Sequence, residues 1–267
     1  MNILVCVKQV PDTTEIKIDP VKNTLIRDGV PSIVNPFDGY ALEAAARIKD
    51  KDPSTKIVVV SMGPEQAKSA LKECLAIAAD KAYLVTDRAF GGSDTLATSY
   101  ILTNAIQKLE ELEGKFDAIF CGKQAIDGDT AQVGPEIAEQ LDLPQVTYAL
   151  EAEVDGDMLK VRKETEDAHE IIGIKLPCLV TFTQPSWEPR YPSVKRKLAA
   201  NKAEIPNISS ADLVNIDLSR AGLKGSPTKV KRSFVPPRKT GGMKIQEETA
   251  EASAQKLYGL LSQAGVI

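Results

Sequence analysis

Apolar residues along this chain fall into two rhythms. Continuous runs at 3–7 (ILVCV), 56–62 (KIVVVSM), 82–85 (AYLV) and 117–121 (DAIFC) read as strands buried on both faces. Between them, apolar residues recur every third or fourth position. After Asn35-Pro36-Phe37-Asp38 come Tyr40, Ala41, Ala44, Ala45 and Ile48; after Pro64 come Ala67, Leu71, Cys74 and Leu75; after Ser93-Asp94 come Leu96, Tyr100, Ile101, Ile106 and Leu109. This spacing predicts amphipathic helices, with Asp38 as N-cap of the first, Pro64 in the first turn of the second, and Ser93 or Asp94 capping the third. Strands alternating with helices predict right-handed βαβ units and an α/β fold: an open, mainly parallel sheet with helices on both faces.

Past residue 145 the rhythm changes. VTYALEAEV and MLKVRKE flank Asp155-Gly156, a pair suited to a tight hairpin turn, and HEIIGIKL continues in strand pattern. The pattern predicts an antiparallel hairpin addition before one more buried strand, 177–182. Beyond it stand Pro185, Pro189, Pro192, Pro206, Pro227, Pro236 and Pro237, with few apolar runs. A last helical pattern over 247–261 carries Ala250, Ala254, Leu257 and Leu261 on one face, which needs a surface to cover it. The extended, proline-rich approach favours a partner chain over the sheet.

Composition narrows the classes. The 267 residues are 43% hydrophobic and 26% charged, as in a globular protein, and the net charge of −4 gives no global attraction to nucleic acid or an anionic membrane. The N-terminus has no basic segment before its short apolar run, and no run approaches a membrane span, so a cytoplasmic setting is expected. Cys6, Cys74, Cys121 and Cys178 lie far apart without a CxxC pair, and His169 is the only histidine. This pattern argues against a metal site, a hydrolytic triad or a disulfide framework, and it reads the cysteines as small buried apolar residues. Cys6 stands apart because it ends the first strand.

In an open parallel sheet, ligands bind beyond the carboxyl ends of the strands. Four loops converge there: Cys6-Val7-Lys8, Asn35-Pro36-Phe37-Asp38, Ser61-Met62-Gly63-Pro64, and the stretch from Gly122 through Lys123, Gln124, Asp127, Gly128, Asp129, Thr130, Ala131, Gln132 and Val133 to Gly134. The last leaves a strand and opens a helix. It lacks the GK[ST] of a P-loop, so an anion there would be held by free backbone N–H groups at the helix start. Asp127 and Asp129 are read as turn formers and helix caps.

The residues go further than a generic nucleotide fold. NILVCVKQVPD at the start, VNPFDGYALEAA at 34–45, VSMGP at 60–64, GKQAIDGDTAQVGP at 122–135, and VRKETEDAHEIIGIKLPCLVT followed by EPRYPSV resemble the beta subunit of electron transfer flavoprotein, in the same order along essentially the whole chain. Val161, Lys163, Glu166, Asp167, Glu170, Ile172, Pro177, Leu179 and Val180 match that family's signature; Ala168 departs from it.

The resemblance implies a Rossmann-like, adenine-nucleotide-binding domain over 1–185, a partner-recognition loop over 186–205, and a C-terminal arm over 206–267 gripping an alpha subunit that carries its own FAD. It places the nucleotide on Cys6, Lys8, Asn35 to Asp38, Ser61 to Gly63 and Gly122 to Gly134. Tyr191, Val194, Lys195, Arg196 and Lys197 become the contact for acyl-CoA dehydrogenase-type flavoenzymes. Members of the family hold either AMP, as a structural ligand, or a second FAD that takes electrons from NADH and bifurcates them toward a ferredoxin or flavodoxin. Asp38, and the loop Gly91, Gly92, Ser93, Asp94, Thr95 as an NADH side, favour the second type. Structural AMP is the alternative, and a stand-alone nucleotide-sensing module the remote one. In each case the chain is an electron carrier or binder, with no side chain acting as nucleophile or base.

Overall fold

The structure, a computed structural model, describes residues 1–12, 31–231 and 241–267. The strands are β1 (Asn2–Cys6), β2 (Gln9–Pro11), β3 (Ser32–Val34), β4 (Lys56–Met62), β5 (Lys81–Val85), β6 (Ala118–Gly122), β7 (Gln145–Asp155), β8 (Met158–Glu164), β9 (His169–Lys175), β10 (Cys178–Phe182) and β11 (Asn207–Ile208). The helices are α1 (Pro36–Lys51), α2 (Lys68–Ile77), α3 (Thr95–Glu113), α4 (Val133–Gln140), α5 (Val194–Lys202), α6 (Gly222–Gly225) and α7 (Ala250–Gln263).

One sheet runs β11-β5-β4-β1-β6-β10-β7-β8-β9, and β2 pairs with β3 in a small antiparallel ribbon. From β11 to β7 every neighbouring pair is parallel; β8 and β9 are added antiparallel, the turn at Gly156 having φ +64°. The α/β reading therefore holds. The sequence order hides one step: β10 enters between β6 and β7, so the hairpin is appended beyond the last buried strand.

Two-residue alternation builds a core on each face. Ile3, Val5 and Val7 meet Leu42 and Ala45 of α1 and Leu71 of α2, whereas Leu4 and Cys6 meet Ile101 and Ile106 of α3 and Ile137 of α4. Helices thus cover both faces. The chain divides into two units, the larger carrying every strand and ending at Lys231, the smaller carrying α7. The expected arm boundary at 206 falls inside the larger unit. Ile205, Ile208, Leu213 and Ala221 are buried there, and the short β11 extends the sheet beside β5. Helix α7 has no buried residue, with Leu257 and Tyr258 exposed. Among the described residues no helix is long and apolar enough to cross a membrane.

At the amino edge of the sheet, Glu113 closes α3 with a side chain only 2% exposed, bridging Lys56 at 2.5 Å and Lys81 at 2.8 Å and accepting the Tyr83 hydroxyl. Burial works to raise its proton affinity, but the hydrogen bonds from Lys56, Lys81 and Tyr83 outweigh it and hold the carboxyl at about 2. A depressed carboxyl stabilises the fold above its unfolded value and loses that contribution as pH falls toward its folded one. Glu113→Gln is accordingly expected to be less stable than the wild type at neutral pH, with the gap closing between pH 4.5 and about 2. Urea midpoints across that range measure it; a gap independent of pH contradicts the assignment.

Candidate functional site

At the carboxyl edge, β1 and β6 lie side by side and the first turn of α1 reaches over both. Asn35 is the N-cap and Pro36 occupies the first helical position, where no amide donor is missed. Asp38 does not cap this helix, contrary to the expectation from sequence. Its carboxylate turns into the sheet edge and accepts the Lys8 N–H at 2.7 Å through Oδ2 and the Gly122 N–H at 3.1 Å through Oδ1. One side chain of α1 thereby joins the chain leaving β1 to the chain leaving β6. Burial pushes its pKa up to about 7, against the opposing hydrogen bonds from Asn35, Lys8 and Gly122 and the charge of Lys8.

Asn35, fully buried, continues the same joint. Its amide N–H donates to the Gln124 carbonyl at 2.8 Å, its Oδ1 accepts the Ile126 N–H at 3.1 Å, and its own N–H donates to the Lys8 carbonyl. Lys8 Nζ reaches across to Asp127 at 2.6 Å. The acidic turn is thereby paired with a lysine from the chain that leaves β1. Lys123 lies over the Phe37 ring at 5.6 Å and over Tyr148 at 5.4 Å, and Phe37 and Lys123 line a cavity with Leu150, Arg162 and Thr183.

The turn from Gln124 to Gln132 is held open by its backbone. Asp129 and Ala131 have φ +52° and +53°, a left-handed conformation costing a non-glycine residue about 1–2 kcal/mol. Neither Asp127 nor Asp129 caps α4: its N-cap is Gln132, with no side-chain bond, while Asp129 accepts from Gln124 Nε2 at 2.7 Å. Among the described residues, the N–H groups of Thr130, Ala131 and Gln132 have no hydrogen-bond acceptor. Ser61, at the end of neighbouring β4, is 1% exposed and its hydroxyl has no partner either. Met62 packs partly into the core and Gly63 is tied to Val85. The arrangement is a polar, backbone-lined edge whose turn keeps unengaged N–H groups ahead of α4.

A family model for the electron transfer flavoprotein domain matches residues 22–213. The beta subunit of electron transfer flavoprotein from Megasphaera elsdenii is 53% identical over the full length of both chains, and that of Clostridium acetobutylicum 54% over 95% of each. Subunit CarD of the caffeyl-CoA reductase–Etf complex of Acetobacterium woodii is 47% identical, again over both whole chains. The chain belongs to the electron transfer flavoprotein family, among its beta subunits.

Within this member of the electron transfer flavoproteins, the other expected residues lie apart from the Asp38 joint. Gly91 to Thr95 precede α3. The space beside Gly92, at φ +75°, is filled by Leu223, whose Cγ lies 2.6 Å from where a Cβ would stand. Ser93 Oγ accepts the Gly222 N–H, and Asp94 caps α3 through Ala97 while also accepting the Thr228 N–H. Gly92 thus makes room for the chain's own 222–228 segment, a long-range contact that leaves no local sequence signal. Thr95 meets the start of α4, its hydroxyl 3.1 Å from Gln132 and 3.2 Å from Glu136. Glu136, whose second oxygen is buried without a partner, was not singled out from sequence; an acid in the first turn of a helix was the signal available.

Tyr191 is 94% exposed and Val194, the first residue of α5, 78%. Lys195 and Lys197 are exposed as well, but Arg196 is not part of that surface. Its guanidinium donates to the Leu75 and Ala79 carbonyls at 3.0 and 2.8 Å, capping the end of α2 as a cation suits a helix C-terminus.

Gly122 carries the sharpest prediction of the site. A Cβ there would stand 2.2 Å from Asp38 Oδ1 and 2.7 Å from the Asp38 nitrogen, so Gly122→Ala must push α1 off the sheet edge. Thermal unfolding is expected to show a loss of about 1–3 kcal/mol or more, as for other overpacked positions. An unchanged melting temperature would mean that Asp38 does not join the two strands.

Proposed function

We propose that this chain is the beta half of a heterodimer whose alpha subunit carries its own FAD, and that the crevice at the carboxyl edge holds a second FAD. In this reading the heterodimer takes electrons from NADH and bifurcates them between a ferredoxin or flavodoxin and an acyl-CoA dehydrogenase-type flavoenzyme. The observation that carries the nucleotide assignment is the set of unengaged donors before α4, the N–H groups of Thr130, Ala131 and Gln132, on a turn that leaves the edge fixed by Asp38. Outward N–H groups at the start of a helix suit a phosphate ester. These residues fit an adenine nucleotide.

When bound, a flavin supplies the redox chemistry, accepting two electrons together and passing them on singly. The protein's own residues bind, orient and exclude water. Thr130 to Gln132 would hold the phosphates. Asp127 fixes the ammonium of Lys8 beside the turn. Phe37 and Lys123 line a cavity. The exposed apolar side chains of α7 suit an arm that closes on the alpha subunit. Tyr191 and Val194, flanked by Lys195 and Lys197, suit a transient docking surface on which fast release matters.

One observation favours the second reading, structural AMP with no bifurcation: Leu223 occupies the room beside Gly92 and so narrows the expected NADH side. The caffeyl-CoA reductase for which the Acetobacterium relative's complex is named supports an acyl-CoA-type partner under either reading.

Counting the nucleotides released on denaturing the purified heterodimer separates the two. Two FAD and no AMP per heterodimer are expected; one FAD with one AMP overturns bifurcation. Independently, Val194→Ala is expected to slow electron exchange with a partner dehydrogenase, with flavin content unchanged. Unaltered partner kinetics in stopped-flow would remove Val194 from the docking surface.

A further inference from the structure

The four cysteines, all free thiols, divide into two classes. Cys74 and Cys178 are fully buried in the core of the α1–α2 face, on α2 and β10. Cys6 and Cys121 retain 8% and 5% exposure and sit on the α3–α4 face. These two are direct partners in the parallel β1–β6 register. Paired residues send their side chains to the same face, and adjacent strands lie about 4.8 Å apart, inside the roughly 4.4–6.8 Å between Cα atoms that a disulfide spans. Cys6 ends β1 and Cys121 is the penultimate residue of β6, both just below the Asp38 joint: Gly122, the next residue after Cys121, and Lys8, two after Cys6, are the two N–H donors to that carboxylate.

We propose that Cys6 and Cys121 form a redox-active dithiol which hydrogen peroxide closes to a disulfide beneath the crevice. The Cys6 thiolate attacks one peroxide oxygen, the O–O bond breaks, and the departing hydroxide takes a proton to leave as water. Cys6 is then a sulfenic acid. The Cys121 sulfur attacks the Cys6 sulfur, the S–O bond breaks as the S–S bond forms, and the oxygen leaves as a second water with the Cys121 proton. Peroxide gains two electrons and the two thiols lose them. The order follows from the surroundings: its hydrogen bond with Cys6, and then burial, push the Cys121 thiol well above the ordinary range, so it serves as the resolving thiol. Closing the pair draws the ends of β1 and β6 together one step below the Asp38 joint. The bond is opened again by thiol–disulfide exchange with an external dithiol.

The test treats the full-length, fully reduced protein with hydrogen peroxide in stoichiometric steps, blocks remaining thiols by alkylation, and maps unreduced peptides by mass spectrometry. The expected result is a peptide pair joined through Cys6 and Cys121, lighter by two hydrogens and restored by dithiothreitol, with Cys74 and Cys178 alkylated as thiols. In Cys121→Ser, Cys6 is expected to accumulate as a sulfenic acid trapped by dimedone. Oxidation of Cys6 beyond the sulfenic acid with Cys121 still a thiol, a disulfide between two molecules, or four intact thiols in excess peroxide would each overturn the proposal. The wild-type map decides the matter even where a variant folds poorly.

Discussion

The carboxylate of Asp38 is the contact on which the crevice depends. Strands β1 and β6 are neighbours in the sheet, but past their last paired residues nothing in a parallel ladder tells the two departing chains where to go. Asp38 supplies that instruction by accepting one backbone N–H from each. A buried carboxylate is costly unless its lone pairs are used, and here the two N–H groups offset part of that cost. The balance still lies with burial, as the proton affinity near 7 shows. Several neighbouring choices then follow. Residue 122 must lack a side chain because the carboxylate stands where a Cβ would be. Asn35 takes over the capping position, and its buried amide extends the joint to Gln124 and Ile126.

The acidic turn is best understood from this joint outward. A helix N-terminus that is capped by side chains has fewer donors left for a ligand. In this turn both aspartates are drawn elsewhere, Asp127 to Lys8 and Asp129 to Gln124, so α4 begins uncapped and the donors before it stay unengaged. The left-handed backbone at Asp129 and Ala131 is the local strain that accompanies this arrangement, and such strain persists where the surroundings over-determine it. The two negative charges of the turn are therefore both engaged within the chain: one is neutralised by a lysine just past β1, and the other is engaged by an amide.

Much of this architecture was legible in the sequence because it rests on local periodicity. The apolar runs located β1, β4, β5 and β6 to within a residue, the 155–156 turn located the β7–β8 hairpin, and three- and four-residue spacing located α1 to α3. The convergence of the four loops was legible too, since strand–helix alternation fixes which edge carries them. What sequence could not reveal were contacts between residues far apart in the chain. Asp38 has every local mark of a helix cap, and only the proximity of Lys8 and Gly122 turns it inward. The Gly91-Gly92 pair looks like open space until Leu223 fills the room beside Gly92, and Arg196 looks like one of three surface cations until α2 ends beneath it. The return of 205–221 to the sheet was hidden for a related reason. Ile205, Ile208 and Leu213 are isolated apolar residues among prolines and polar groups, and only a sheet edge already built by β5 makes a strand of two residues worthwhile.

Helix α1 connects the crevice to the exposed segment that follows β10. Its N-terminus carries Asn35 and Asp38; further along, Glu43 and Asp50 face residues 187–190. Arg190 forks between them, donating to Glu43 at 2.8 and 3.1 Å and to Asp50 at 2.6 and 3.1 Å, while Arg47 both pairs with Glu43 and stacks 4.2 Å over the Trp187 ring, whose edge meets Tyr40. Glu43 is 3% exposed, and a carboxylate at that depth is tolerated because two guanidinium groups meet it with matching geometry. A planar fork restricts orientation as well as distance, so the chain entering α5 is held in one direction relative to α1. The exposed Tyr191 and Val194 follow directly from that anchored point. A single rigid helix thus sets the crevice at one end and the approach of the exposed patch farther along, and neither can shift without loosening contacts made by buried charge.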